Sequence, residues 1–144
     1  MTEEQLTKIA WLNRAFHSEK NAKAWQAKLE RDRSLAERIS RSGNGSTEGA
    51  HGNSAEDALV RLTMTEEETM ARLQELVWIR EEITSAIRMV EDQDMQSILV
   101  RHYLAYETFK TIADKMHYDI RTIQRKHKKA LENVVIVCHP ESAL

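Results

Sequence analysis

All four glycines of this chain fall between Arg41 and Asn53, and its one proline is Pro140. Glycine and proline are the strongest local interrupters of regular structure. The stretches on either side of 41–53 therefore run for dozens of residues with neither. A β-sandwich or barrel needs a turn about every 8–12 residues. This chain cannot supply them, whereas its wealth of Ala, Glu, Lys, Leu and Arg suits helices. The expected fold class is all-α, and 144 residues hold one ordinary domain or two small ones.

The run from Arg41 to Asn53 reads Arg-Ser-Gly-Asn-Gly-Ser-Thr-Glu-Gly-Ala-His-Gly-Asn. Nothing in it can bury apolar area, so it reads as a flexible surface linker. Its Gly-x-Gly is not a phosphate cradle, because no apolar strand precedes it. Before the linker, Thr2 with Gln5 forms a capping box that starts a helix. Leu6, Ile9, Phe16, Trp25, Leu29, Ala36 and Ile39 follow near helical spacing. The stripe is interrupted at Glu19-Lys20-Asn21, which predicts a kink or break there, and Asp32 and Ser34 weaken it further. After the linker a helix restarts at Ser54, or at Thr65 with its own capping box. Leu62, Thr69, Leu73, Leu76, Arg80, Ile83, Ile87 and Val90 step by three and four, the spacing of a coiled-coil seam. Such a helix cannot bury its seam alone. The expected solution is a long antiparallel helical hairpin, residues 1–92 with the linker at about 41–53, whose leftover apolar seam drives self-association.

Asp92-Gln93-Asp94 offers a cap, and Met95–Leu104 predicts a short helix with Ile98, Leu99 and Tyr103 inward. A helix from Thr108 or Phe109 to Met116, a turn at 117–119 and a helix capped by Asp119 running to about Val135 complete the reading. Residues 93–137 form the expected C-terminal domain and 138–144 a frayed tail.

Charge is uneven. The total is −2. Residues 1–55 carry nine basic and seven acidic groups, 56–94 four and eleven, and 95–144 eight and five. The window Thr108–Leu131 holds seven basic residues against two acidic. A basic patch confined to one end suggests a nucleic-acid contact there.

That window also carries a motif. A helix-turn-helix needs a small residue where its two helices cross, apolar residues one before and three after it, and another ten after. Ala113, Ile112, Met116 and Ile123 fit. The turn position four after the alanine commonly holds glycine. Here it is His117, which implies either a left-handed conformation or a different turn. On the second helix Ile120, Arg121, Gln124, Arg125 and Lys128 point outward. Arginine reads guanine and glutamine reads adenine bidentately in the major groove. Lys110, Lys126 and Lys129 are expected on phosphates, which fix register without reading sequence.

His102-Tyr103, Phe109 with Ile112-Ala113, Met116-His117-Tyr118, and His127 with Ala130-Leu131 form a pattern over residues 95–134. This pattern resembles the region-four helix-turn-helix of bacterial sigma factors. It is closer still to small phage and mobile-element proteins of Gram-positive bacteria, including the ArpU-type regulators of late transcription. Arg125 lies one position from that family's arginine, Phe109 stands where tryptophan is common, and Asp119 where serine is common. The resemblance implies DNA-linked transcription regulation; with the seam of the hairpin and a single helix-turn-helix, the reading is a regulator acting on double-stranded DNA as an oligomer, dimeric through the hairpin. A small terminase-like packaging subunit and a sigma-like adaptor that binds RNA polymerase are the alternatives.

Other chemistries lack support. The six histidines and Cys138 show neither Cys-x-x-Cys nor His-x-x-x-His, so no metal site and no cofactor is expected. No catalytic residues are expected either: no nucleophile elbow is present, and acidic pairs such as Glu81-Glu82 suit a solvated helix face. A single cysteine fits a reducing, cytoplasmic setting. A polar, acidic start and the lack of any long apolar run predict no signal peptide and no membrane partner.

Overall fold

The computed structural model describes residues 1–42 and 54–136, and all regular structure among them is helical. The linker expected at about 41–53 lies, from residue 43 onward, outside the described residues, as does the tail expected at 138–144. The helices are α1 Glu3–Leu12, α2 Arg14–Ser42, α3 Ser54–Arg88, α4 Gln93–Leu99, α5 Phe109–Met116 and α6 Ile120–Asn133. A single π-helical stretch, Val100–Leu104, continues α4.

Four of the starts have a capping side chain. At α1, Gln5 N–H donates to Thr2 Oγ1 (3.2 Å) and Thr2 N–H to Gln5 Oε1 (3.0 Å), the reciprocal bonds expected from the sequence. Asp92 accepts from Met95 N–H at the head of α4, Thr108 from Thr111 N–H at α5, and Asp119 from Thr122 N–H at α6.

The break expected at Glu19–Asn21 is not there. α2 runs unbroken through those residues, and the long N-terminal helix bends instead at Asn13. The polar residues occupy solvent-facing positions, while Ala15 and Ala22 continue the buried stripe on either side of them. At the bend, Arg14 Nε donates to the Trp11 carbonyl (3.0 Å), supplying a partner to a helix-end acceptor.

Two compact units result, divided at 18/19 and 74/75. One comprises Glu19–Gln74. In it Thr65 Oγ1 donates to Asp32 Oδ2 (2.6 Å), Lys28 Nζ donates to the same oxygen (2.8 Å), and Thr69 Oγ1 reaches the Trp25 carbonyl (3.3 Å). Numbers fall along one helix as they rise along the other, so the two segments pack antiparallel. Asp32, which weakened the sequence stripe, sits in the seam itself. The lysine and threonine bonds hold its carboxyl below the usual range.

The other unit comprises Met1–Ser18 and Glu75–Leu144. Its main core joins Trp11, Leu12 and Ala15 to Ile79, Ile83, Ile87 and Val90 of α3, Leu99 and Tyr103, and Ala130, Leu131 and Val134. Each fully buried Leu or Ile contributes about 1.5–3 kcal/mol. Gln96 ties α3 to α4: its side-chain amide donates to the carbonyls of Ile87, Arg88 and Val90 at 3.1–3.4 Å. A helix end leaves its last carbonyls short of donors, although that of Ile87 also accepts from Val90 N–H.

Candidate nucleic-acid interface

A second, smaller core holds α5 against α6: Ile98, Ile112, Ala113 and Ile123 are buried, with Phe109 and Met116 packed on them. The four residues singled out by spacing therefore meet. Ala113 is buried where α5 approaches its neighbours, which a larger side chain would prevent. The turn resolves the alternative left open at His117. Its backbone is left-handed, φ 61° and ψ 40°, and both His117 N–H and Tyr118 N–H donate to the Ala113 carbonyl. For a non-glycine residue this conformation is uncommon.

α6 has two faces. Ile123, His127, Ala130 and Leu131 are buried on one. Ile120, Arg121, Gln124, Arg125, Lys128 and Lys129 are exposed on the other, and Lys110 is exposed in the first turn of α5. Arg121, Arg125 and Lys128 follow one another by four and three residues, so they share a side of the helix. Among the described residues, none of Arg121, Arg125, Lys128, Lys129 or Lys110 holds an ion pair. Asp119, at the head of the helix, is held below the usual carboxylate range, first by its hydrogen bond from Thr122 and then by the nearby Arg121 and Arg125.

Lys126 is the exception. It is half-buried, its ammonium lies 3.5 Å from Asp94 and 5.2 Å from the centre of the Tyr118 ring, and Tyr118 in turn donates to Asp94 (2.6 Å). This lysine is engaged in fastening the turn and α6 to the start of α4. Lys126, expected beside Lys129 and Lys110 on phosphates, thus differs from them in holding an ion pair, and spacing alone could not reveal Asp94 across the fold.

Beneath the exposed face lies a ring cluster from three elements. Tyr103 Oη and His127 Nε2 share a hydrogen bond of 2.7 Å. His102 stacks on Phe109 with centroids 4.3 Å apart, and Phe109 lies 4.8 Å from His127. Carbonyl oxygens only accept, so His102 Nδ1 donates to the Glu107 carbonyl, 2.8 Å away. Burial, and secondarily His102, pushes the His127 ring down to about 4, so it is neutral near pH 7. Burial raises the Tyr103 phenol above its ordinary value. His127 is thus a packing residue of α6 rather than a phosphate contact. Glu107, which sequence reasoning passed over, accepts from Arg101 (3.3 Å) and Lys115 (3.0 Å) and staples the connection before α5. No run or period marks such a bridging carboxylate in the sequence.

Among the described residues, no group of three or more His, Cys, Asp or Glu is placed to hold a metal ion, and no helix is long and apolar enough to cross a membrane.

Residues 40–134 match the family described as "protein of unknown function (DUF1492)". The chain belongs to that family. The match takes in α3 to α6, and with them every residue of the candidate interface, while α1 and nearly all of α2 precede it. No curated protein matches the chain, and no solved structure matches it.

Proposed function

We propose that this member of the family binds double-stranded DNA through α5 and α6 as a helix-turn-helix. It then serves as a transcription regulator of a phage or mobile element, acting as an oligomer. One observation carries the reading: α6 buries an apolar face and turns Arg121, Gln124, Arg125 and Lys128 outward together. A helix about 10–12 Å across fits a major groove about 12 Å wide. Arg121, Gln124 and Arg125 read base edges, Ile120 supplies apolar contact, Lys128 extends the face, and Lys129 and Lys110 take phosphates. The resemblance of residues 95–134 to sigma region four and to ArpU-type regulators supports the same reading. One helix-turn-helix contacts one half-site, so oligomers are expected.

The test selects a bound duplex from a random pool, then titrates it and unselected DNA at two salt concentrations. Arg121→Ala should weaken the selected duplex by about 1–3 kcal/mol and leave random DNA nearly unchanged. Lys129→Ala should weaken both alike and reduce the salt slope by about one. Equal losses for Arg121→Ala on both duplexes would reassign it to the backbone. A wild-type chain that binds no duplex at low salt refutes the DNA reading, and capture of RNA polymerase by the same chain would favour the adaptor.

A further inference from the structure

We propose that the unit Glu19–Gln74 is half of a four-helix bundle completed by a second copy of the chain, with α2 of each copy lying on α3 of the other. This rests on the oligomer named in the proposed function, gives it a surface, and makes no use of DNA binding.

Early in α3, residues 58–64 are mostly apolar: Ala58, Leu59, Val60, Leu62 and Met64. A helix of that composition belongs in an interior. Ala58 faces the α2 seam, but Val60 is 57% exposed and Met64 64%. Asp57, Val60, Met64, Glu67 and Ala71 follow at spacings of three and four and so form one outer stripe. On α2, Ala24, Ala27, Arg31, Leu35 and Arg38 line a shallow groove. Its alanines leave room for side chains from outside.

The two stripes are complementary in charge. The α2 segment of this unit carries seven basic residues against four acidic, and the α3 segment five acidic against two basic. Arg31, Arg38, Asp57 and Glu67 hold no ion pair among the described residues. They are also complementary in register. The stretch from Ala24 to Arg38 and that from Asp57 to Ala71 are equally long. Laid antiparallel, they set Arg38 by Asp57, Leu35 by Val60, Arg31 by Met64 and within a turn of Glu67, and Ala24 by Ala71. Lys28 bonds the seam carboxylate of Asp32, and Arg61 of α3 acts on that same carboxylate, so the two stripes lie on one side of the helix pair. A two-fold axis through that side makes both α2–α3 contacts at once, as a closed dimer requires.

Sedimentation and light scattering of the full chain at micromolar concentration test this, with circular dichroism to follow helicity. The wild type should be a dimer. Val60→Lys with Met64→Lys should give monomer at unchanged helicity, with association weakened about tenfold or more. Arg31→Glu with Arg38→Glu, and separately Asp57→Lys with Glu67→Lys, should each be monomeric alone and dimerise when mixed. A wild-type monomer, a dimer surviving Val60→Lys with Met64→Lys, or a mixture that stays monomeric would overturn the proposal. Duplex titration of the same samples separates the two readings. A dimer that binds no duplex refutes the DNA reading alone, and a monomer that binds DNA refutes this interface and the oligomer while leaving the DNA reading standing.

Discussion

His127 occupies the inner side of α6 while its neighbours Lys128 and Lys129 stand in solvent. Spacing made this legible in outline: Ile123 and Ala130 lie four before and three after it, and both are buried. Its partner Tyr103 lies 24 residues earlier, beyond the reach of any local pattern. The consequence is a pH dependence of stability. The folded ring titrates at about 4, against about 6.5 in the unfolded chain, so between these values the unfolded state binds the extra proton. Stability is therefore full above about pH 6.5 and falls as pH drops toward 4, by an amount on the order of 3 kcal/mol at 1.36 kcal/mol per unit. Denaturant unfolding from pH 7.5 to 4.5 should show this slope in the wild type, and His127→Leu should flatten it. The carboxylates held low, Asp32, Asp94, Glu107 and Asp119, lose their contribution only at still lower pH.

Elements were readable where each local signal agreed with the next. Capping residues Thr2, Asp92, Thr108 and Asp119 all sit where helices begin. What escaped was joinery between elements. Gln96 looks like an ordinary helix-surface residue, yet it closes the end of α3. The π-helical stretch at Val100–Leu104, where Ala105 N–H reaches the Val100 carbonyl at 3.0 Å, has no mark in residue type. Asp32 seemed to spoil a stripe because its partner, Thr65, belongs to a different helix. The seam residue Ile83 proves to be wholly buried in the unit that holds α6, so a charge there would report on folding, whereas Val60 and Met64 report on association. Gln96→Ala should cost about 1 kcal/mol by removing the amide's bonds to the end of α3, that to the Val90 carbonyl above all. Hydrogen exchange should locate the loss at the end of α3 and the start of α4. Uniform acceleration over the whole chain would show that the amide does not act locally.

The molecule's least predictable feature is that its first helix belongs with its last. α1 packs on α6: Trp11 and Leu12 share a core with Ala130 and Leu131, and Lys8 Nζ donates to the Glu132 carbonyl at 3.4 Å, across 124 positions of sequence. The positive ammonium also suits the negative end of the helix dipole. No periodicity within either helix could announce the pairing, since each stripe names a face and not the face that covers it. Removing residues 1–12 should lower the thermal midpoint and weaken DNA binding even though Arg121 and Arg125 remain. Unchanged stability would show that α1 merely decorates the unit. The same long connection shapes how the protein is made. Ribosomes add roughly 5–20 residues each second, so Trp11 and Leu12 wait on the order of ten seconds for the helix that shelters them. During that interval only Ile79, Ile83 and Ile87 of α3 and the residues of α4 are there to share their core. The burial of the N-terminal segment is thus complete only once synthesis has passed α6.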